Sequence, residues 1–578
     1  MSKINNSVGL YLYQTSYLLS SPFIPLKKVF LGLKTYSTNL FIMKKTFLGL
    51  FFLCPILAIG QLKYPSYNEV VSMVKGFNAR GLVSNDVIGK SYGNEGIPVI
   101  KLQLDNTARP TLLVVAGVDG KHPAGTLSAL QLTKNLLALP ADSLRSILQH
   151  KSIWILPLAN PDAYKRNSTS QNWVSGNARQ IDNDRDGRID EDSPKDMNGD
   201  GVIAQMRIQS AVGDYTLHKT HSDILVQADR LKGQIGSYII LPEGEDQDFD
   251  GKYGEDGTGG VNIDRNFTFD YPAFMPESGD YAASEPETRA LIDFVFDNPQ
   301  IASVIHFGLT NNLSDPEKAD GRASNQRIVK SWSASDAEVS KYISSIYKDM
   351  TKSLGEATKM PAQSGNFTNT AYYHLGKFSF ATPVWWPSVV DSTKNAPKPS
   401  GDANETFYAW VKQNNVPGAI LPWQKINHPN FPNQQVEVGG VVEAFKNNPP
   451  VEYLEPAVKL HTDFVVKVVE NMAKLVFDAP KVTALGNDIY RVELSVMNVG
   501  MMPTYPELAD RIRYVSRFKT VCDLAGNQQF LSGKRLQLYP SLAGGASQTF
   551  SWLIKGKGTV KIKAGCPTSG EQMLEVKL

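Results

Sequence analysis

The chain has 578 residues, of which 42% are hydrophobic and 20% are charged, and its formal net charge at pH 7 is +2. This length exceeds one ordinary hydrophobic core, so we expect two or more domains. The near-neutral charge excludes a global field that would draw the chain to nucleic acid or to anionic lipid, so local sites must carry the function.

The N-terminal part contains an export signal that starts at an internal methionine. Met43, Lys44 and Lys45 precede a short apolar run over 47–59, which ends in small residues. This pattern is typical of a secretory signal peptide and is too short for a comfortable membrane span. We predict a leader or a mis-assigned start over 1–42, a signal peptide over 43–60, and a secreted or periplasmic protein without a membrane span. An amphipathic leader followed by a buried helix is the alternative.

Alternating strands and helices follow the signal. Apolar runs of strand length at 110–118 and 153–158 flank a segment, 126–139, in which apolar residues recur at helical spacing. Further strands are predicted at 302–307 and 378–384, and further helices at 64–80, 285–296, 336–354 and 454–476. The alternation predicts an α/β domain over 61–479, with a mixed sheet sandwiched by helices.

An acidic insert over 179–260 carries an internal repeat. The segments 182–192 and 246–256 share the pattern D-x-D-x-D-G-x-x-x-E-D, and a shorter version lies at 196–201. Carboxylates at alternate positions before a turning glycine can supply the six to eight oxygens that Ca²⁺ requires. The candidate calcium ligands are Asp182, Asp184, Asp186, Asp246, Asp248 and Asp250. Solvated acidic turns are the alternative, because the twelfth positions of the two loops hold Ser193 and Gly257 rather than glutamate.

Composition changes after Pro480. Alternating runs at 490–496, 549–554 and 559–563 replace the helices, with glycine and proline between them. We predict a small all-β sandwich over 480–578, acting either as a passive stability module or as a binding module. Cys522 and Cys566 both lie here, and their sequence positions leave open whether they pair.

Polar side chains follow two of the predicted core strands. Asp119 and His122 come directly after one strand, and His306 ends another. Ligands of open α/β sheets bind beyond the carboxyl ends of the strands, where the loops separate. These three side chains are therefore candidates for one functional site.

Several segments, in order, resemble the funnelin, or carboxypeptidase A-like, family of zinc carboxypeptidases. Segment 117–125 is similar to the family's zinc motif, segment 160–164 to its Asn-Pro-Asp segment, and segment 260–267 to its substrate-binding segment. His306 falls where the family's third zinc ligand stands. The matches cover roughly residues 64–440. They imply zinc-dependent hydrolysis of peptide amide bonds, including those of peptidoglycan-derived peptides, and no role for nucleic acid.

The zinc motif departs from the family pattern at two positions. Asp119 replaces the first histidine and His122 replaces the glutamate, so the order His, Glu, His becomes Asp, His, His. Because a divalent metal requires donor types, charge and reach, the resemblance still predicts that Asp119, His122 and His306 hold Zn²⁺ with an open water position. The alternative is that Asp119 caps its turn and both histidines are ordinary polar residues.

The remaining catalytic positions also differ from the family. Its general base, a glutamate, aligns with Pro383, which cannot transfer a proton; Glu437 is a candidate replacement, or else a polar residue on a strand. Arg265 is the candidate catalytic and substrate-orienting cation, and Asp264 stands where the family has an amide. The second substrate-binding arginine is Arg179 or, as the alternative, Arg166. A carboxylate beside Arg265 partly neutralises it and repels an anionic substrate end.

Two hypotheses follow. The first is a metallopeptidase outside the cytoplasm that uses Zn²⁺ to hydrolyse peptides. The second is a non-catalytic homologue that binds a peptide or a glycan. Retention of two imidazoles and one carboxylate favours the first, and Pro383 and Asp264 favour the second.

Overall fold

The computed structural model describes most of the chain after residue 61. The described ranges are 62–77, 81–170, 172–182, 187–189, 192–219, 221–254, 260–324, 326–388, 403–513 and 515–578. They lie in one compact unit, residues 59–578. The predicted leader and signal peptide, and the calcium candidates Asp184 and Asp186, lie outside the described residues.

Strands and helices of the described part are numbered in chain order. The strands are β1 (Val83–Lys90), β2 (Gly96–Leu102), β3 (Thr111–Ala116), β4 (Ser152–Leu156), β5 (Gln205–Gln209), β6 (Tyr215–Leu217), β7 (Leu225–Gln227), β8 (Tyr238–Pro242), β9 (Ile301–Phe307), β10 (Phe378–Thr382), β11 (Ile420–Ile426), β12 (Val436–Val441), β13 (Leu475–Phe477), β14 (Lys481–Gly486), β15 (Ile489–Asn498), β16 (Phe518–Asp523), β17 (Gln529–Ser532), β18 (Leu536–Tyr539), β19 (Ser547–Lys555), β20 (Thr559–Cys566) and β21 (Gly570–Lys577). The α-helices are α1 (Tyr67–Gly76), α2 (Pro123–Ala138), α3 (Ala141–Leu148), α4 (Pro161–Asn167), α5 (Pro286–Asp297), α6 (Gly321–Ser324), α7 (Ala334–Met350), α8 (Phe367–Tyr373), α9 (Ala403–Asn414), α10 (Ala444–Asn447), α11 (Leu454–Asn471) and α12 (Glu507–Ile512).

The main sheet confirms the predicted α/β architecture. Its strand order is β1-β2-β4-β3-β9-β10. Strands β4, β3, β9 and β10 are mutually parallel, and β2 is antiparallel to both of its neighbours, β1 and β4. Alternate residues of β3 enter two separate cores. Leu112 packs with α2 and α11 on one face, and Leu113 packs with α5 and α8 on the other. Both faces of the strand are therefore covered, which is why its sequence is apolar throughout.

A second sheet, which the sequence did not predict, comes largely from the acidic insert. Its strands are antiparallel in the order β11-β12-β5-β8-β6-β7. Its small core contains Met206, Ile208, Val436 and Val438. The inserted strands are short and separated by acidic loops, so their apolar residues give no period long enough to recognise.

The C-terminal part confirms the predicted β-sandwich. One sheet has the order β13-β15-β19-β17, with β14 also paired to β15, and the other has the order β18-β16-β20-β21. Residues of both sheets, among them Trp552 and Ile562, share one core. The sequence was wrong in extending the preceding helix to residue 476, because α11 ends at Asn471 and residues 475–477 instead pair with β15.

The two cysteines are buried free thiols. Cys522 lies opposite Ile562 on the neighbouring strand, whereas Cys566 lies four residues further along that strand. Four residues of extended strand span about 13 Å, which is beyond the reach of a disulfide. Among the described residues, no helix combines the length and apolar character needed to cross a membrane.

Candidate functional site

The turn after β3 carries two of the candidate residues, and close packing shapes it. Gly117 has a φ of +63°, and a Cβ there would lie 2.6 Å from the hydroxyl of Thr126. Only glycine fits this position without strain. Asp119 then accepts a hydrogen bond from the backbone N–H of Lys121 at 2.7 Å, and its other oxygen lies 3.4 Å from the amide nitrogen of Asn262. The carboxylate therefore caps its own turn.

The imidazoles of His122 and His306 lie at the centre of the site, each 1% exposed. Burial lowers the pKa of His122 to about 4, although the carbonyls of Phe307 and Pro383 act in the opposite direction. Burial also lowers the pKa of His306 to about 3, and the neighbouring His122 adds to this effect. Both rings are neutral at physiological pH.

Three ring nitrogens of this pair have no hydrogen-bond partner among the residues that the structure describes. They are both nitrogens of His122 and Nε2 of His306; Nδ1 of His306 shares a hydrogen bond with the hydroxyl of Thr368 at 3.1 Å. The carbonyls near His122 do not have the geometry of hydrogen bonds. Buried polar atoms without partners are costly, so these nitrogens are a feature that a bound ligand or ion could satisfy.

The structure does not complete the predicted zinc centre. No choice of one ligand atom from each of Asp119, His122 and His306 brings all three within 4.8 Å of one another. Donors on one tetrahedral zinc ion stand about 3.4 Å apart, because each bond is only about 2 Å long. The two imidazoles lie together as expected, whereas Asp119 is held by its own turn. The set does not fit a three-donor zinc centre.

The position of the family's general base contains no acid. Pro383 directly follows β10 and is buried, and Val384 after it has a φ of +67°. The candidate replacement Glu437 lies on β12 of the second sheet, where its carboxylate pairs with Arg207 at 2.7 Å. Glu437 is thereby committed to a structural ion pair, and its catalytic role remains a prediction without support.

The segment that resembles the family's substrate-binding motif is a 3₁₀ turn over Ile263–Arg265. The carboxylate of Asp264 accepts the backbone N–H of Phe367 at 2.9 Å. Burial raises the pKa of Asp264 to about 7, with the N–H of Phe367 opposing and the charge of Asp119 adding to the rise. The guanidinium of Arg265 is half-buried, and its charge opposes the rise that burial causes in the pKa of Glu277.

A further carboxylate, Glu277, belongs to the same region and was not recognised from the sequence. Burial raises its pKa; Asp119 adds to this rise, while Lys121 and Arg265 oppose it. Its backbone carbonyl accepts the N–H of Asn262 at 2.9 Å. A lone glutamate in a loop gives no sequence signal, so only the fold identifies it.

Arg179 does not reach this site as a free cation. Its guanidinium pairs with Glu285 at 2.8 Å and also with Asp280. The amide of Asn177 donates to the other oxygen of Glu285 at 2.8 Å. Arg179 thus holds the loop before α5 in place, and the structure gives it no substrate-binding role.

A groove of about 520 Å³ opens beside the turn, starting at Pro123, the residue after His122. Its walls include the aromatic side chains of Tyr64, Tyr164, Trp173 and Phe445. We call it the aromatic groove. Its volume and its mixed apolar and hydroxyl lining are typical of sites for small organic ligands and peptides.

Asn448 clamps the turn from a distant part of the chain. Its side chain is 1% exposed, accepts the N–H of Ala124 at 3.2 Å, and donates to the carbonyls of Lys121 and Ala444 at 2.8 and 2.9 Å. No sequence pattern singles out this asparagine, because its two partners in the turn, Lys121 and Ala124, are more than 300 residues away.

Replacing Asn448 by alanine is expected to loosen the turn, because the N–H of Ala124 and the carbonyl of Lys121 would lose their buried partner. We expect a loss of about 1–3 kcal/mol in the free energy of unfolding, together with faster amide exchange at residues 121–125. Asn106→Ala, at an exposed turn, is the matched control. Unchanged exchange over 121–125 in Asn448→Ala would contradict the clamp.

Two loops of the acidic insert, at 246–251 and 196–201, have the same hydrogen-bond pattern, and a third loop, at 182–187, has part of it. Asp246 accepts the N–H groups of Phe249 and Gly251 at 2.6 and 3.1 Å, and Asp248 accepts that of Asp250 at 3.0 Å. In the shorter loop, at 196–201, Asp196 and Asn198 accept the corresponding N–H groups at 2.7–3.0 Å. In the third loop Asp182 accepts the N–H of Gly187 at 3.0 Å.

A buried acid stands against each of the two loops. Ligand oxygens of Asp192, Asp246 and Asp248 lie within 4.8 Å of one another, and Asp192 is 1% exposed. Glu243 is fully buried beside the 196–201 loop, and its pKa is raised to about 7 by burial together with Asp196 and Asp200, against two backbone N–H groups. The sequence placed Asp192 inside the repeat but did not identify either acid as a candidate ligand.

Comparison with protein-family models gives two matches. A family model described as zinc carboxypeptidase matches residues 71–385, and a second, described as a domain of unknown function, matches residues 474–577. No curated protein matches the chain.

Several solved structures are similar in fold. The chain is similar to thrombin activatable fibrinolysis inhibitor (13% identity over 70% of this chain and 74% of that chain, TM-score 0.39). It is also similar to bovine thrombin-activatable fibrinolysis inhibitor in complex with tick carboxypeptidase inhibitor (14%, 70% and 96%, TM-score 0.37) and to carboxypeptidase A from Helicoverpa armigera (13%, 61% and 72%, TM-score 0.34). Each TM-score lies below 0.5, so these structures are not informative about the ligand or the reaction.

Proposed function

We propose that this chain, which belongs to the zinc carboxypeptidase family through residues 71–385, binds peptides without hydrolysing them. The ligand would lie in the aromatic groove and reach the carboxyl ends of β3 and β9. The family supports a peptide as the kind of ligand. The groove supports binding, because the half-buried Trp173 can cover part of an extended chain with its aromatic surface.

One observation carries the loss of hydrolysis: the carboxylate of Asp119 caps its own turn instead of joining the two imidazoles. Zinc in this family acts as a Lewis acid that polarises a carbonyl and activates water, and it needs three protein donors to leave one open position. The base position adds a second obstacle, since Pro383 cannot accept a proton.

Zinc-dependent hydrolysis is the second candidate, and the three unpartnered ring nitrogens of His122 and His306 favour it. Two imidazoles are a common part of a zinc site. Within the described part of the chain, neither a third donor nor a general base joins them, so we derive no hydrolytic step.

The test measures zinc content, hydrolysis and binding on the same purified protein. We expect less than stoichiometric zinc, no release of C-terminal residues from mixed or peptidoglycan-derived peptides, and saturable peptide binding followed by the fluorescence of the tryptophans. Trp173→Ala should weaken binding about tenfold or more, because buried aromatic anchors dominate such interfaces. Tyr92→Ala, an aromatic residue 54% exposed outside the groove, is the control.

Stoichiometric zinc together with peptide release that His306→Ala abolishes would establish the hydrolase instead. Peptide binding that is equal in Trp173→Ala and the wild type would remove the aromatic groove as the binding site.

We also propose that the acidic insert holds structural Ca²⁺. Two loops with alternating acceptors, each facing a buried acid, support this assignment. Oxygen donors from Asp192, Asp246 and Asp248 suit a hard cation, and a cation would offset the mutual repulsion of these carboxylates. The cation would brace the second sheet, because β8 ends shortly before the 246–251 loop and β5 begins shortly after the 196–201 loop.

We infer, finally, that the protein works outside the cytoplasm, as a secreted or periplasmic protein. Support comes from segment 43–60, which has the pattern of a signal peptide. The boundaries 61–479 and 480–578 remain predictions for the two structured domains, and peptidoglycan-derived peptides remain one of the ligands to be tested.

A further inference from the structure

A second groove, of about 360 Å³, lies at the junction between the α/β domain and the C-terminal sheets. On one side it is lined by the residues that precede β3 and β4, including Arg109, His150 and Lys151. On the other side it is lined by Lys474, just before β13, and by Glu571 at the start of β21. We call it the basic junction groove. It lies at the amino ends of β3 and β4, opposite to the edge that carries His122.

Most of the charged groups around this groove are cations, and the anions are already engaged. Glu571 pairs with Lys519 at 3.0 Å. Asp105 takes both arms of the Arg109 guanidinium, at 2.6 and 2.8 Å. Two ammonium groups remain without a carboxylate partner among the described residues, those of Lys151 and Lys474.

The two lysines differ in exposure. Lys151 is 7% exposed, and its ammonium donates to the backbone carbonyl of Ala473. Lys474 is exposed to solvent and forms no salt bridge within the described part of the chain. A buried ammonium beside an exposed one is unfavourable unless an anion offsets the repulsion.

The basic side chains that line the groove lie close enough to one another to interact electrostatically. The pKa of His150 is lowered by burial and then by Lys474, Lys151 and Arg109. The pKa of Lys151 is lowered to about 7, again by burial and then by Lys474. Three basic side chains, Lys474, Lys151 and Arg109, therefore act on the same imidazole, which gives the groove a positive potential.

We propose that the basic junction groove binds an anionic ligand through a phosphate group. A planar carboxylate prefers the fork of an arginine, but the fork of Arg109 is occupied by Asp105. The ammonium of exposed Lys474 is a compact point charge that suits a phosphate, and the buried ammonium of Lys151 beside it already donates to the carbonyl of Ala473. The groove is larger than one phosphate, so a phosphate-bearing molecule fits better than the bare ion. The proposal does not rest on the peptide-binding function.

Inorganic phosphate is the probe for the first experiment. We expect a saturable rise of Tm with phosphate, compared with chloride at the same ionic strength, because a ligand that binds only the native state stabilises it. The pKa of the His150 ring, followed by NMR of histidine-labelled protein and assigned with His150→Gln, should rise by about half a unit or more as the anion offsets the cations.

Lys474→Gln is expected to weaken phosphate affinity about fivefold or more, because a charge-assisted contact is lost. Lys481→Gln changes the net charge equally at an exposed strand outside the groove and should change the affinity less than about twofold. Equal phosphate affinities in these two variants, or the absence of any saturable effect in the wild type, would overturn the proposal.

A second arm identifies the source of the phosphate. Vesicles of an anionic phospholipid are sedimented with the wild type and with Lys474→Gln. Co-sedimentation that requires Lys474 assigns the ligand to a lipid headgroup, whereas phosphate binding without co-sedimentation assigns it to a soluble phosphorylated molecule.

Discussion

Removing divalent cations with a chelator is expected to lower the Tm of the protein by about 5 °C, and adding back Ca²⁺ should restore it. A cation held at a hundred times its dissociation constant stabilises the native state by about 2.7 kcal/mol per site, and among the described residues the oxygens of Asp192, Asp246 and Asp248 converge on one such site. Without the cation, Asp192, Asp246 and Asp248 repel one another within 4.8 Å. Thermal unfolding at fixed ionic strength, in chelator and in excess Ca²⁺, measures the difference.

The variant Asp246→Asn is expected to lose most of the calcium response. The carbonyl of the asparagine still accepts the backbone N–H of Phe249, whereas the N–H of Gly251, which bonds to the other carboxylate oxygen, loses its acceptor, so the variant removes one charge and one hydrogen bond of the loop. Asp142→Asn, at an exposed helix start in the α/β domain, is the matched control and should respond like the wild type. A chelator effect that is the same in Asp246→Asn and the wild type would rule out this loop as the cation site.

Replacing Asp336 by alanine is expected to lower the free energy of unfolding by about 3–5 kcal/mol and to release α12 from the α/β domain. Asp336 is fully buried at the start of α7. Its carboxylate accepts the N–H groups of Glu507 and Leu508, at 2.9 and 3.2 Å, and the hydroxyl of Tyr372 at 2.8 Å. Alanine would leave all three donors without an acceptor in a region that excludes water.

Chemical denaturation measures the loss of stability, and limited proteolysis around α12 measures the release. Asp336→Asn is expected to lie between alanine and the wild type, because it retains one acceptor oxygen. Glu338→Ala on the same helix, with a side chain 75% exposed, should change the stability by less than about 0.5 kcal/mol. Wild-type resistance to proteolysis in Asp336→Ala would show that this carboxylate does not join the two domains.

The core of the fold could be predicted because buried parallel strands have a local signature. The runs at 110–118 and 153–158 became β3 and β4, and the helical period at 126–139 became most of α2. The second sheet gave no such signature, because its strands are short and interrupted by loops. The helix predicted to residue 476 was wrong because the last residues pair with β15, a partner that local periodicity does not reveal.

The candidate site was predictable in position and not in geometry. Residues that follow parallel strands meet at one edge of the sheet, and this rule brought His122 and His306 together. Whether Asp119 faces them depends on hydrogen bonds to Lys121 and Asn262, which form only in the folded turn. Asn448 and Glu277 contribute to the site from distant segments, so no spacing in the sequence could indicate them.

The sequence by itself determined the family, the layered α/β core and the β-sandwich, because motif order and hydrophobic period are properties of the chain. The tertiary structure decided which donors converge, which carboxylates are already paired, and where the uncompensated cations gather. These are properties of side-chain direction and of distances between segments remote in the chain, and they are fixed only when the core is packed.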